Sequence, residues 1–195
     1  MLMMRSFRRR RTWLWAGLAA AVVAGTASVW GEVSHHVYRQ LSDSAWRGEL
    51  GKVRWLLRLG LDPNQPVAGK VSPLIAAAMQ EREEVVALLL RNGARVDAPG
   101  KMGLTALEAA SRRGHLGVVR LLLTHGADLE RVGEAGTPLM AAAQGCSPEV
   151  AEALLAAGAR ITATTSWSPQ TALDLARDAG CQPVLELLRR GTPGR

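Results

Sequence analysis

Glycine returns along this chain at a near-constant interval: Gly60, Gly93, Gly126, Gly158 and Gly191 lie 33, 33, 32 and 33 residues apart. Each follows a pair of apolar residues, Leu56-Leu57, Leu89-Leu90, Leu122-Leu123, Leu154-Leu155 and Leu187-Leu188. A small apolar residue stands seven before each glycine: Val53, Val86, Val119, Ala151 and Val184. Apolar residues at that spacing share one helix face, and a glycine just beyond them suits the left-handed position that ends a helix. A unit this short cannot bury its apolar face alone. Self-similarity at such a period therefore predicts a solenoid, in which stacked neighbours supply the core.

A second signal opens each unit. Ser72-Pro73-Leu74, Thr105-Ala106-Leu107, Thr137-Pro138-Leu139 and Thr171-Ala172-Leu173 recur in register. A hydroxyl N-cap followed by proline or alanine starts a helix, because the hydroxyl accepts from an orphan N–H of the first turn. Each unit thus reads as helix, turn, helix. Gly103–Leu129 (GLTALEAASRRGHLGVVRLLLTHGADL) is the most regular copy.

The openings SPLIAA, TALEAA, TPLMAA and TALDLA, with the closings LLLRNGARVD, LLLTHGADLE and LLAAGARI, resemble the ankyrin repeat. The resemblance spans about 42–191 and implies an all-α solenoid of helix-turn-helix units. It divides that span into a cap (42–64), repeats at 70–98, 102–130 and 134–162, and a closing cap (168–191), with 192–195 as a tail. The histidine of the family motif, which braces a turn by hydrogen bonds, is replaced by Ile75, Glu108, Met140 and Asp174. Glu108 and Asp174 are expected to compensate by capping, and Ile75 and Met140 are not.

The N-terminus has a different composition. Residues 1–11 form a basic tail in which Arg5, Arg8, Arg9, Arg10 and Arg11 meet no acid. Residues 12–31 (TWLWAGLAAAVVAGTASVWG) hold no charge. As a single hydrophobic helix this stretch spans roughly 30 Å, the thickness of a bilayer core. Trp13 and Trp15 at one end and Trp30 at the other suit an aromatic belt, and the arginines orient the N-terminus inward. This reading makes 12–31 an inner-membrane anchor, 32–41 a juxtamembrane linker, and the repeats periplasmic or extracellular. A competing reading is a signal peptide cleaved near Ala27, which releases a periplasmic or secreted protein. Gly17, Ala21 and Gly25 form a small-residue stripe suited to a weak homodimer or a self-associating envelope scaffold. Arginine outnumbers lysine 21 to 3, which fits GC-rich bacterial coding.

The net charge of +7 is concentrated in that tail, and without those five arginines about +2 remains. That leaves no basic face for nucleic acid. No nucleophile elbow, zinc-binding helix motif, phosphate loop or dinucleotide fingerprint occurs, so neither an enzyme nor a cofactor site is expected. His115 is read as structural, and His125, at the end of a helix, as a partner of its dipole. Cys146 and Cys181 sit in the turns of adjacent units, one position out of register. Helix pairs stack about 10 Å apart, whereas bridged Cα atoms need less than about 7 Å. Free thiols are therefore expected.

The resemblance implies a non-catalytic protein-binding module whose concave face carries the contacts. The corresponding positions at the ends of the first helices are Met79, Gln80, Arg112, Arg113, Gln144 and Asp178. Turn tips add Lys101, Met102, Leu104, Glu134 and Trp167. The partner is an unidentified protein.

Overall fold

The computed structural model of the chain describes residues 27–65, 71–165 and 169–191, with side chains from Val37 onward. The chain divides into two units, Met1–Val37 and Tyr38–Arg195. Of the first, the described residues from Ala27 onward are helical. Most of the predicted anchor, and with it the Gly17/Ala21/Gly25 stripe, lies outside the described residues. Among the described residues no helix is long and apolar enough to cross a membrane.

The second unit is all-helical among its described residues. Helix α1 (Ala27–Arg47) enters it at Tyr38, and α2 (Leu50–Arg58) returns. Four more pairs follow: α3 (Pro73–Met79) with α4 (Glu83–Arg91), α5 (Ala106–Arg113) with α6 (Leu116–Thr124), α7 (Pro138–Gln144) with α8 (Pro148–Ala156), and α9 (Ala172–Asp178) with α10 (Gln182–Gly191). The inner helices α3, α5, α7 and α9 stack in sequence, and the outer helices α2, α4, α6, α8 and α10 form a parallel row behind them. Alanine allows the close inner packing: Ala76, Ala77 and Ala78 of α3 and Ala141, Ala142 and Ala143 of α7 are all buried. The outer row supplies bulk through Val53, Leu56, Val86, Leu89, Val119, Leu122, Ala151 and Leu154, each essentially inaccessible.

The predicted starts and stops are formed. Ser72, Thr105, Thr137 and Thr171 each accept from the backbone N–H three residues on, at 3.3, 3.1, 3.4 and 3.4 Å. Gly60, Gly93, Gly126 and Gly158 take positive φ of 88°, 84°, 79° and 100°, as the left-handed stop requires. Beyond each glycine the next N–H returns to the outer helix, as in Ala94 N–H to the Leu89 carbonyl at 3.0 Å. Gly191 departs from this pattern, because it is the last residue of α10. The caps Thr137 and Thr171 are 34 residues apart rather than 33, so the last unit shifts by one. Val184, Leu185 and Leu188 face the core, and Leu187 is only half-buried.

Asp174 compensates for the missing histidine as expected: its carboxylate accepts from Thr171 N–H at 2.9 Å and from the Thr171 hydroxyl at 2.7 Å. Met140 corrects the expectation, since its sulfur accepts from Thr137 N–H at 3.4 Å, a weak form of the same box. Glu108 reaches forward into the next unit, where Oε1 accepts from Ala135 N–H at 2.6 Å and Oε2 from Glu134 N–H at 3.1 Å.

Candidate functional site

Turns between the paired helices follow one backbone plan. The first turn residue takes positive φ in every unit: Gly48, Glu81, Gly114, Cys146 and Gly180. The residue after it points back to the preceding unit. Arg82 donates to the Trp46 carbonyl at 3.5 Å, and His115 Nε2 donates to the Met79 carbonyl at 3.2 Å. A Cβ on Gly114 would meet Ser147 Oγ, and one on Gly48 would meet the Arg82 side chain. Successive turns are thereby tied into a continuous edge. His115 has the structural place expected of it, and His125 Nδ1 lies 2.9 Å from the Leu121 carbonyl at the end of α6.

This plan overturns the expectation of free thiols. Cys146 and Cys181 are joined by a disulfide, with Cα atoms 5.4 Å apart. Helix spacing was the wrong yardstick, because the bond joins turns. The first turn position of each unit faces the second turn position of the next. The apparent misregister by one is what brings the two sulfurs together. On the other side of the same turn, a Cβ on Gly145 would strike the Arg112 carbonyl oxygen of the preceding unit.

Beside this edge the inner helices end in a row. Trp46, Met79, Arg112, Gln144 and Asp178 hold one position in five units, and Arg47, Gln80, Arg113, Gly145 and Ala179 hold the next. Met79, Gln80 and Arg112 are half-buried, whereas Arg113, Gln144 and Asp178 are exposed. Asp178 accepts from Gln170 Nε2 at 2.8 Å. Trp46, 40% exposed, completes the row at its N-terminal end. Sequence reading missed it because the first unit lacks the opening motif, although counting back 33 from Met79 reaches it.

The turn tips divide. Lys101 and Met102 are exposed on a single turn of 3-10 helix, Lys101–Gly103, with Met102 71% exposed at φ 56°. Glu134 is exposed on the next tip, with its N–H engaged by Glu108. Leu104 is a correction: at 5% exposure it belongs to the core. The chain folds back there, with Gly100 N–H donating to the Leu104 carbonyl at 2.8 Å, and this turns the leucine inward. Trp167 lies outside the described residues. Val132, exposed on the tip beside Met102, was not anticipated.

A second ladder, also missed, runs along the base of the turns. Asn64 Oδ1 accepts from Arg95 N–H at 2.8 Å, Asp97 Oδ1 from Asp128 N–H at 3.1 Å, and Glu130 Oε1 from Arg160 N–H at 2.9 Å. These three acceptors are 33 residues apart. The period was visible, but three different residue types concealed it.

Comparison with known proteins agrees with this architecture. A family model for ankyrin repeats, in three copies, matches residues 41–133, and one for a single ankyrin repeat matches residues 136–166. No curated protein matches the chain. Ankyrin repeats are non-catalytic protein–protein interaction modules. With four successive copies matched over most of its length, the chain belongs to the ankyrin-repeat family.

Proposed function

We propose that this protein holds a partner protein against the row of inner-helix ends and is tethered by residues 12–31 with its repeats outside the cytoplasm. The observation that carries the binding reading is the row itself. Five units present Trp46, Met79 and Gln80, Arg112 and Arg113, Gln144 and Asp178 in one register, on turns tied together from unit to unit. A rigid line of mixed apolar, basic and amide side chains is pre-organised, so little side-chain and backbone freedom is lost on binding. Trp46 and Arg113 are the residue types that dominate interface energetics.

Export is supported from two directions. The arginine tail ahead of an uncharged twenty-residue stretch has the form of an N-in signal or anchor. The Cys146–Cys181 bridge suits an oxidising compartment, because cytosolic thiol systems keep such pairs reduced.

The test is crosslinking in cells with a photoreactive residue in place of Gln144, followed by identification of the adduct. One specific protein should be captured, and Trp46→Ala or Arg113→Glu should reduce capture at least about tenfold with unchanged circular dichroism. Capture that is unaffected by either change would refute the site. A reporter fused to the C-terminus that proves active in the cytoplasm would refute the topology.

A further inference from the structure

We infer that the Cys146–Cys181 bond is a thiol-exchange site that governs docking of the last repeat, so that the array is complete only in an oxidising environment. Three observations lead there. First, the terminal unit is the least secured by packing. Helix α9 buries only Ala172 and Ala176, whereas α5 and α7 each bury six residues. In a stacked array each unit is held by its neighbours, and α9 buries little against its own.

Second, Cys146 occupies a position that favours glycine. Its φ is 50°, and the same position holds Gly48, Gly114 and Gly180 in three other units and Glu81, at φ 55°, in the fourth. A side chain there is disfavoured in its own turn. What it supplies is the link to the next unit, since the partner position in that unit is Cys181.

Third, access to the bond is one-sided. Cys146 is exposed and Cys181 is 1% exposed. An external thiolate therefore attacks the Cys146 sulfur. Its electron pair forms the new S–S bond, the Cys146–Cys181 bond breaks, and Cys181 leaves as a thiolate that takes a proton from solvent. A second thiol from the reductant then resolves the mixed disulfide. Cys146 leaves as a thiol, and the reductant becomes a disulfide after giving two electrons to the protein. The partner class is a small thiol or a dithiol oxidoreductase, and a disulfide-donating oxidoreductase drives the reverse reaction.

Opening the bond releases α9 and α10 and removes Asp178 from the binding row. That consequence rests on the function proposed above, whereas the redox-dependent docking does not.

The experiment is hydrogen–deuterium exchange on the full chain in detergent, with and without dithiothreitol, in the absence of any partner. On reduction, amides of α9 and α10 should exchange about 100-fold faster while those of α3–α6 stay unchanged. Cys146→Gly, which installs the residue three other units use, should show the fast pattern without reductant and no further response to it. With glutathione as probe, peptide mapping should place the first adduct on Cys146. Unchanged protection of α9 and α10 on reduction would overturn the inference. So would a loss spread equally over all helices, a first adduct on Cys181, or two thiols already free in the unreduced protein.

Discussion

Glu108 accepts hydrogen bonds from two backbone N–H groups of the following unit while having no solvent access of its own. Burial holds its carboxyl above the ordinary 4.5, against the opposing pull of the Ala135, Thr105 and Glu134 N–H groups and the Arg112 charge. The folded chain therefore binds this proton at a pH where the unfolded chain has released it. Stability gained through Glu108 rises as pH falls through its folded pKa and is complete below 4.5. Asp174 behaves oppositely: the Thr171 N–H and hydroxyl lower it from 3.8, so its contribution is present above 3.8 and is lost as pH falls through its folded value. Urea midpoints compared between wild type and Glu108→Gln should reveal the Glu108 gain as a wild-type rise, between neutral pH and 4.5, that the variant lacks. Glu108→Ala leaves two inter-unit N–H groups without their acceptor and should cost about 2 kcal/mol at neutral pH in the same assay. Asp97→Ala breaks a similar link at an exposed site, where water replaces the carboxylate, and should cost less than about 0.5 kcal/mol.

At the scale of elements, each helix pair is set by its cap and by the close approach of its turn. Thr105→Ala removes the hydroxyl that accepts from Glu108 N–H and should lower stability by about 1 kcal/mol in urea unfolding. Gly145 has an ordinary negative φ, yet any side chain there collides with the Arg112 backbone. Gly145→Ala should therefore cost about 1–3 kcal/mol, through contact between turns rather than through backbone freedom. The same change at a glycine with open space and negative φ, Gly51, should be nearly silent or slightly stabilising. Trp55, on α2 of the first helix pair, is 57% exposed. The matching Leu88, Leu121 and Ala153 of later units are half-buried.

For the whole molecule, the bridge closes a loop of 35 residues between the last two units. Loop-closure entropy makes such a link worth about 3–4 kcal/mol. Cys181→Ser should remove roughly that amount from the last unit, with an earlier, separate unfolding step seen by exchange or proteolysis. An array whose units are coupled only to neighbours can lose one end and keep the rest.

Residue spacing alone was enough to set the repeat period, the hydroxyl starts, the four glycine stops and the apolar stripe of the outer helices. These depend on spacing within a unit, and spacing is written in the chain. It also placed Met79, Gln80, Arg112, Arg113, Gln144 and Asp178 at the ends of the inner helices, because those ends can be counted from the caps; the resemblance to the family made them contact positions. Contacts that pass between units became visible only in the folded stack. Cys181 reaches Cys146 because one turn position faces the other across the stack, a relation that helix spacing alone does not reveal. Leu104 turns inward because the chain folds back onto Gly100, and Glu108 serves the next unit as well as the start of its own helix. Trp46 joins the row through its place in space, in a unit whose opening motif is absent. Local patterns repeat along one chain, but which side chain meets which across a stack depends on how the units are seated.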